Sequence, residues 1–228
     1  MVGCVFWAAT AVWGQLQLAG EKSSAKQQDP SSGHQVVVLL DINPHQKKVL
    51  PVELALADGV IQRLDQPQNA FSVITFGSQT PTVLKSHATA AEAIAALQGV
   101  ALEKTKDKYF SIHFYDALSL AIGQFIDDTR LQSLLVISEG NDYFPHKTFK
   151  ETVALAQRLQ SPCDVVMVAD HTFYGTKGIQ RYGFDLRRLA GKTHGQYIEV
   201  GSGSRKAPLS VERLSEGILS RRSSSSHQ

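Results

Sequence analysis

The chain has 228 residues, 43% of them hydrophobic and 19% charged, with 17 Gly and 8 Pro, which excludes a disordered, collagenous or disulfide-framework polypeptide. A chain of this length buries enough of its unfolded surface in one core to fold without a metal or cystine staple, and its two cysteines, Cys4 and Cys163, make no framework. Lys and Arg number 23 against 21 Asp and Glu, a net of +2 with no basic face of the kind that phosphate neutralisation requires, so nucleic acid is not an expected partner.

From Val2 to Gly14 the side chains are uncharged and mostly apolar. The run is shorter than the roughly twenty residues that cross a bilayer and fits the core of a signal peptide, although no Lys or Arg precedes it. It predicts a signal peptide over residues 1–14 and therefore an extracytoplasmic protein, periplasmic or secreted, with no stable membrane insertion after cleavage. Residues 15–34, which include Asp29-Pro30-Ser31-Ser32-Gly33, have neither helical nor strand periodicity and read as a linker. The folded domain is expected over 35–222. Beyond it, residues 223–228 are a Ser-rich, solvated tail.

Within the domain, Gln35-Val36-Val37-Val38-Leu39-Leu40 is a continuous aliphatic run without polar alternation, the pattern of a strand buried on both faces. Helical spacing follows in Val52, Leu56, Val60 and Leu64, then a strand from Phe71 to Phe76. Leu84 fits a short edge strand in a hairpin with it. The next helices carry Ala91, Ile94, Ala95 and Leu97, then Tyr115, Leu118, Ile122 and Phe125. Leu134 to Ile137 and Val165 to Val168 are two more buried strands, separated by a helix through Phe149, Val153, Ala156 and Leu159. A short helix with Leu186, Leu189 and Ala190, the strand Tyr197 to Val200, and a last helix opened by Pro208 complete the alternation. The fold class is α/β: a doubly wound, Rossmann-like, mostly parallel sheet with one antiparallel edge strand and helices on both faces.

In such a sheet, ligands sit at the carboxyl ends of the strands where the winding reverses. Neither GxGxxG nor GK[ST] follows the first strand, so dinucleotide and P-loop chemistry drop out. Instead Leu40-Asp41 ends the first strand and Ser138-Glu139-Gly140-Asn141-Asp142 ends another. Together with Val73-Ile74-Thr75-Phe76-Gly77, Phe114-Tyr115-Asp116-Ala117-Leu118 and Leu189-Ala190-Gly191-Lys192-Thr193-His194-Gly195, these segments resemble a von Willebrand factor type A domain over residues 35–220. They are most similar to the bacterial, often exported, branch of that family. The resemblance implies about six strands and a metal-ion-dependent adhesion site at the carboxyl edge.

At that site the sequence departs from the family. The usual Asp-x-Ser-x-Ser falls on Asp41, Asn43 and His45, the usual threonine on Ile112 with Ser111 adjacent, and the usual second aspartate on Glu139. The longer Glu139 side chain moves its carboxylate by about 1.5 Å, and Mg²⁺ demands near-octahedral oxygens at about 2.0–2.1 Å. The metal positions Asp41, Asn43, His45, Ser111 and Glu139 thus form a degenerate set, with Asn43 and His45 expected to cap the following turn and Glu139 to bond loop amides. No cofactor is expected. A divalent metal is the alternative, because His45, His113, His146 and His171 with Asp41, Glu139 and Asp170 fall on the same edge, and imidazole with carboxylate suits zinc, copper or nickel.

Ser138 lacks the first glycine of G-x-S-x-G, which argues against a serine hydrolase, and Cys163 after Pro162 reads as a small hydrophobe. The expected function is non-catalytic binding of a protein partner through the loop edge. Its contact candidates are Pro44, Asp142, Tyr143, Phe144, His146, His171, Phe173 and Tyr174, where aromatics stand beside polar or flexible neighbours.

Overall fold

The computed structural model describes residues 33–78, 80–104, 112–126, 129–140, 146–169, 184–201 and 207–224. Its strands are β1 (His34–Asp41), β2 (Ala70–Phe76), β3 (Thr82–Ala88), β4 (Leu131–Ile137), β5 (Cys163–Ala169) and β6 (Tyr197–Gly201). The helices are α1 (Leu50–Arg63), α2 (Ala90–Gln98), α3 (Phe114–Gly123), α4 (Phe149–Arg158), α5 (184–192) and α6 (Ala207–Ser224), and a 3₁₀ turn, Pro44–Lys48, leads into α1. The predicted signal peptide and all but the end of the predicted linker lie outside the described residues. His34 already belongs to β1, and α6 continues past residue 222 to Ser224.

The strands form one six-stranded sheet in the order β3-β2-β1-β4-β5-β6. All neighbours are parallel except β2 and β3, the hairpin expected at Leu84. Side chains alternate between the two faces with the strand period. Val36, Val38 and Leu40 join Leu135, Ile137, Val166 and Val168 under α1, α2 and α6, while Val37 and Leu39 join Leu134, Val136, Val165 and Met167 under α3, α4 and α5. A strand covered on both faces is apolar at most positions, hence the continuous runs, and its buried polar side chains, such as Ser72 and Asp164, are hydrogen-bonded. Edge strand β3 is exposed until Ala88, with Lys85 among its side chains, and is thereby guarded against further pairing.

Local chemistry fixes the helix starts. Thr89 with Glu92, and Thr148 with Glu151, each form a reciprocal capping box at the start of α2 and α4. The buried stripe of α2 is Ala90, Ala93 and Leu97, not the predicted one, because Ala91 and Ala95 are exposed. A helix so rich in alanine offers several equivalent apolar stripes, and packing selects among them. Among the described residues no helix is long and apolar enough to cross a membrane.

Because α1 covers one face of the sheet and α4 the other, the winding reverses between the adjacent strands β1 and β4. Leu40 pairs with Ile137, so Asp41 and Ser138 emerge side by side at the switch point.

Candidate functional site

Asp41 is fully buried at the end of β1. Its Oδ1 accepts from the Asn43 amide N–H at 3.1 Å and from Asn43 Nδ2 at 2.6 Å. Its Oδ2 accepts from Gln46 Nε2 at 3.2 Å and from Ser138 Oγ at 3.1 Å. These four donors match the roughly four lone-pair sites of a carboxylate. Burial nevertheless pushes the Asp41 carboxyl up to about 6, with the hydrogen bonds opposing it only in part.

Asn43 also caps the 3₁₀ turn, its Oδ1 accepting from the His45 amide at 2.8 Å, as expected of a residue chosen for turn geometry. His45 itself is half-buried, and desolvation lowers its pKa. On β4, the Ser138 hydroxyl that donates to Asp41 accepts from the Gly140 amide at 2.9 Å. Gly140 has φ +78°, and a Cβ there would meet Leu186 Cγ at 2.7 Å, so the loop after β4 turns tightly against α5. Glu139 is buried beside them.

One member of this cluster escaped the sequence reading. Glu53, on the inner face of α1, is fully buried, and neither carboxyl oxygen has a hydrogen-bond partner among the described residues. Burial first, then the charges of Asp41 and Glu139, push its pKa well above the usual carboxylate range. An isolated buried carboxylate is costly, which favours the neutral acid at this position.

The resemblance implies a magnesium site at Asp41, Asn43, His45, Ser111 and Glu139, of which Ser111 lies outside the described residues. Asp41 has its accepting capacity occupied, and the Asn43 side chain is committed to Asp41 and to the turn. Ile112 stands in the threonine position fully buried among Phe76, Phe114 and Leu118.

A second constellation lies where β2 meets the start of α3. His113 donates its backbone amide to Gly77 O at 3.4 Å, and Asp116 opens the helix three residues on. Asp116 Oδ1 accepts from the Lys147 amide at 3.0 Å, and Oδ2 from the His146 amide at 3.2 Å, which straps the segment before α4 to α3. Both imidazoles face the same oxygen: Nδ1 of His146 is 3.0 Å and Nδ1 of His113 is 3.4 Å from Asp116 Oδ2. The two rings stack with centroids 5.7 Å apart and planes at 16°. Of the histidines expected at this edge, His113 and His146 are therefore brought together, joined by an aspartate that sequence reading had placed only in a helix-opening motif.

Ser111, Asp142, Tyr143, Phe144, Asp170, His171, Phe173 and Tyr174 lie outside the described residues. Pro44 and His45 are half-buried, and His146 is exposed. Ser138 Oγ bonds to Asp41 and Gly140, and Cys163 is buried with its thiol pushed up to about 12 by desolvation, so neither is set up as a nucleophile.

No family model matches the sequence, and no curated protein matches it significantly. The fold is that of von Willebrand factor type A domains. The chain superposes on the conserved hypothetical protein BatB from Bacteroides thetaiotaomicron with a TM-score of 0.62 at 16% identity, over 84% of this chain and 100% of that one. It matches the SpRpn10 VWA domain with a TM-score of 0.57 at 12% identity, over 79% of this chain and 94% of that one. The pilus adhesin SpaC from Lactobacillus rhamnosus GG matches with a TM-score of 0.60 at 10% identity, over 86% of this chain and 31% of that one.

Proposed function

We propose that this chain is an exported, non-catalytic protein-binding module that presents the carboxyl edge of its sheet to a protein partner without a magnesium bridge. The observation that carries this reading is Asp41, whose two oxygens are already satisfied by Asn43, Gln46 and Ser138. The loops after β1 and β4, and the segment after β5, supply the contact surface, with Pro44 and His146 among its residues. The fold it shares with an adhesin supports binding as the class of activity, and the apolar segment before residue 15 supports export.

The test is thermal melting with and without millimolar Mg²⁺. A ligand that binds only the native state at a hundredfold excess over its Kd adds about 2.7 kcal/mol, a shift of several degrees. The natural chain is expected to show none. A variant carrying Asn43→Ser, His45→Ser, Ile112→Thr and Glu139→Asp is expected to gain the response. A saturable Mg²⁺ shift in the natural chain would overturn the proposal in favour of metal-bridged adhesion.

A further inference from the structure

We infer that His113, Asp116 and His146 form a binding site for one late first-row divalent cation of the zinc class, separate from the Asp41 cluster and open to solvent at its fourth position. The donor set is the first argument. Two imidazole nitrogens and one carboxylate oxygen match the ligand preferences of zinc, copper and nickel and not those of magnesium or calcium.

The spacing is the second. In a tetrahedral site with bonds of about 2.0–2.1 Å, neighbouring ligand atoms stand about 3.3 Å apart. The Nδ1 to Oδ2 separations are 3.0 and 3.4 Å, and the three ligand atoms all lie within 4.8 Å of one another. Both Nδ1 to Oδ2 separations lie within about 0.3 Å of that edge length, and closing the site on an ion requires the exposed His146 ring to turn so that the two nitrogens reach the same spacing.

Hydrogen bonding within the protein does not account for the whole arrangement. His146 Nδ1 makes a hydrogen bond to Asp116 Oδ2. His113 Nδ1 is buried, aimed at the same oxygen, and has no hydrogen-bond partner among the described residues. A buried ring nitrogen left without a bond costs about 1–3 kcal/mol, and a cation shared with His146 and Asp116 would satisfy it.

Outer contacts hold the ligands in place as metal sites require. The Lys147 and His146 amides fix the Asp116 carboxylate, and the contact of the His113 amide with Gly77 fixes the start of α3. Access comes from the His146 side, where the side chain is 70% exposed, whereas His113 and Asp116 are 19% and 3% exposed. An ion there has three protein ligands and room for a fourth from outside. A partner's carboxylate or imidazole could occupy it, so the site would give the loop edge a metal-bridged contact of a different chemistry from magnesium adhesion.

The experiment uses tag-free protein dialysed against chelator and titrated with ZnCl₂ by calorimetry, with Co²⁺ as a spectroscopic probe. The expected result is one Zn²⁺ per chain and the visible absorption of four-coordinate Co²⁺. His146→Ala, at an exposed position that leaves the fold intact, is expected to weaken binding at least tenfold, and His113→Gln likewise. His45→Ala is expected to leave it unchanged. Absence of stoichiometric Zn²⁺ binding overturns the inference, as does equal affinity in wild type and His146→Ala, or a loss in His45→Ala as large as in His146→Ala. None of these outcomes bears on the Mg²⁺ test, so this site and the proposed function stand or fall separately.

Discussion

Replacing Arg221 by Ala is expected to lower the stability of the domain by about 3 kcal/mol or more, read as a reduced urea midpoint with an unchanged m-value. Arg221 lies on α6, one turn beyond Ile218, on the face that packs against the sheet. Its guanidinium is bidentate to Asp164, with Nη1 to Oδ2 at 2.8 Å and Nη2 to Oδ1 at 2.5 Å, and Nη1 also reaches Ser133 Oγ at 3.0 Å. One side chain therefore ties the last helix to both β4 and β5. The Asp164 side chain is fully buried and that of Arg221 is 20% exposed, so the substitution leaves a buried carboxylate held by the Gln196 amide at 2.9 Å without its cation. Removing one member of such a pair costs more than the pair contributes, because the other charge stays buried. Arg221→Lys should recover only part of the loss, since an ammonium cannot reproduce the fork geometry. A loss below about 1 kcal/mol would mean that Arg221 belongs to a solvated tail.

That contact also marks where the sequence stops being legible. The strands could be read because a parallel sheet covered on both faces favours apolar residues at consecutive positions, and Val36 to Leu40 provide them. The switch point followed from the same alternation, and with it the neighbourhood of Asp41 and Ser138. Side-chain pairing across the fold could not be read. Arg221 and Asp164 are 57 residues apart, and His113 and His146 fall on separate elements, with no local spacing to show that they converge. Glu53 was hidden for another reason. The stripe Val52, Leu56, Val60, Leu64 sets it to one side, whereas the buried face is Leu50, Glu53, Leu56, Ala57, Val60 and Ile61. An acidic residue at helical spacing between buried apolar ones, Leu50, Leu56 and Ala57, was the available signal.

The buried acids Asp41 and Glu53 are expected to contribute less stability as pH rises, and Glu53→Gln should remove much of that contribution. A carboxyl whose pKa is higher in the folded than in the unfolded chain keeps its proton after the unfolded chain has released its own. Below about pH 4 both states are protonated and the full stability is present. Above it, each such group costs about 1.4 kcal/mol per pH unit until the folded pKa is passed. For Asp41 the rise from 3.8 to about 6 corresponds to about 3 kcal/mol lost between those values. Glu53 extends the decline to higher pH, because burial and the acidic neighbours Asp41 and Glu139 all act in the same direction. Unfolding free energies of wild type and Glu53→Gln, measured from pH 5 to 8, isolate this contribution, since other titrating groups largely cancel in the difference. The variant's advantage over wild type is expected to widen with rising pH and then level off once Glu53 ionises in the native state. A difference that stays flat from pH 5 to 8 would falsify the neutral-acid assignment. The strictest comparison adds millimolar Mg²⁺ at pH 8, where protons compete least for the carboxylates. Protonation predicts that wild type remains the less stable chain there, whereas a saturable gain on adding Mg²⁺ would mean that a cation, not a proton, neutralises the Asp41, Glu53 and Glu139 cluster.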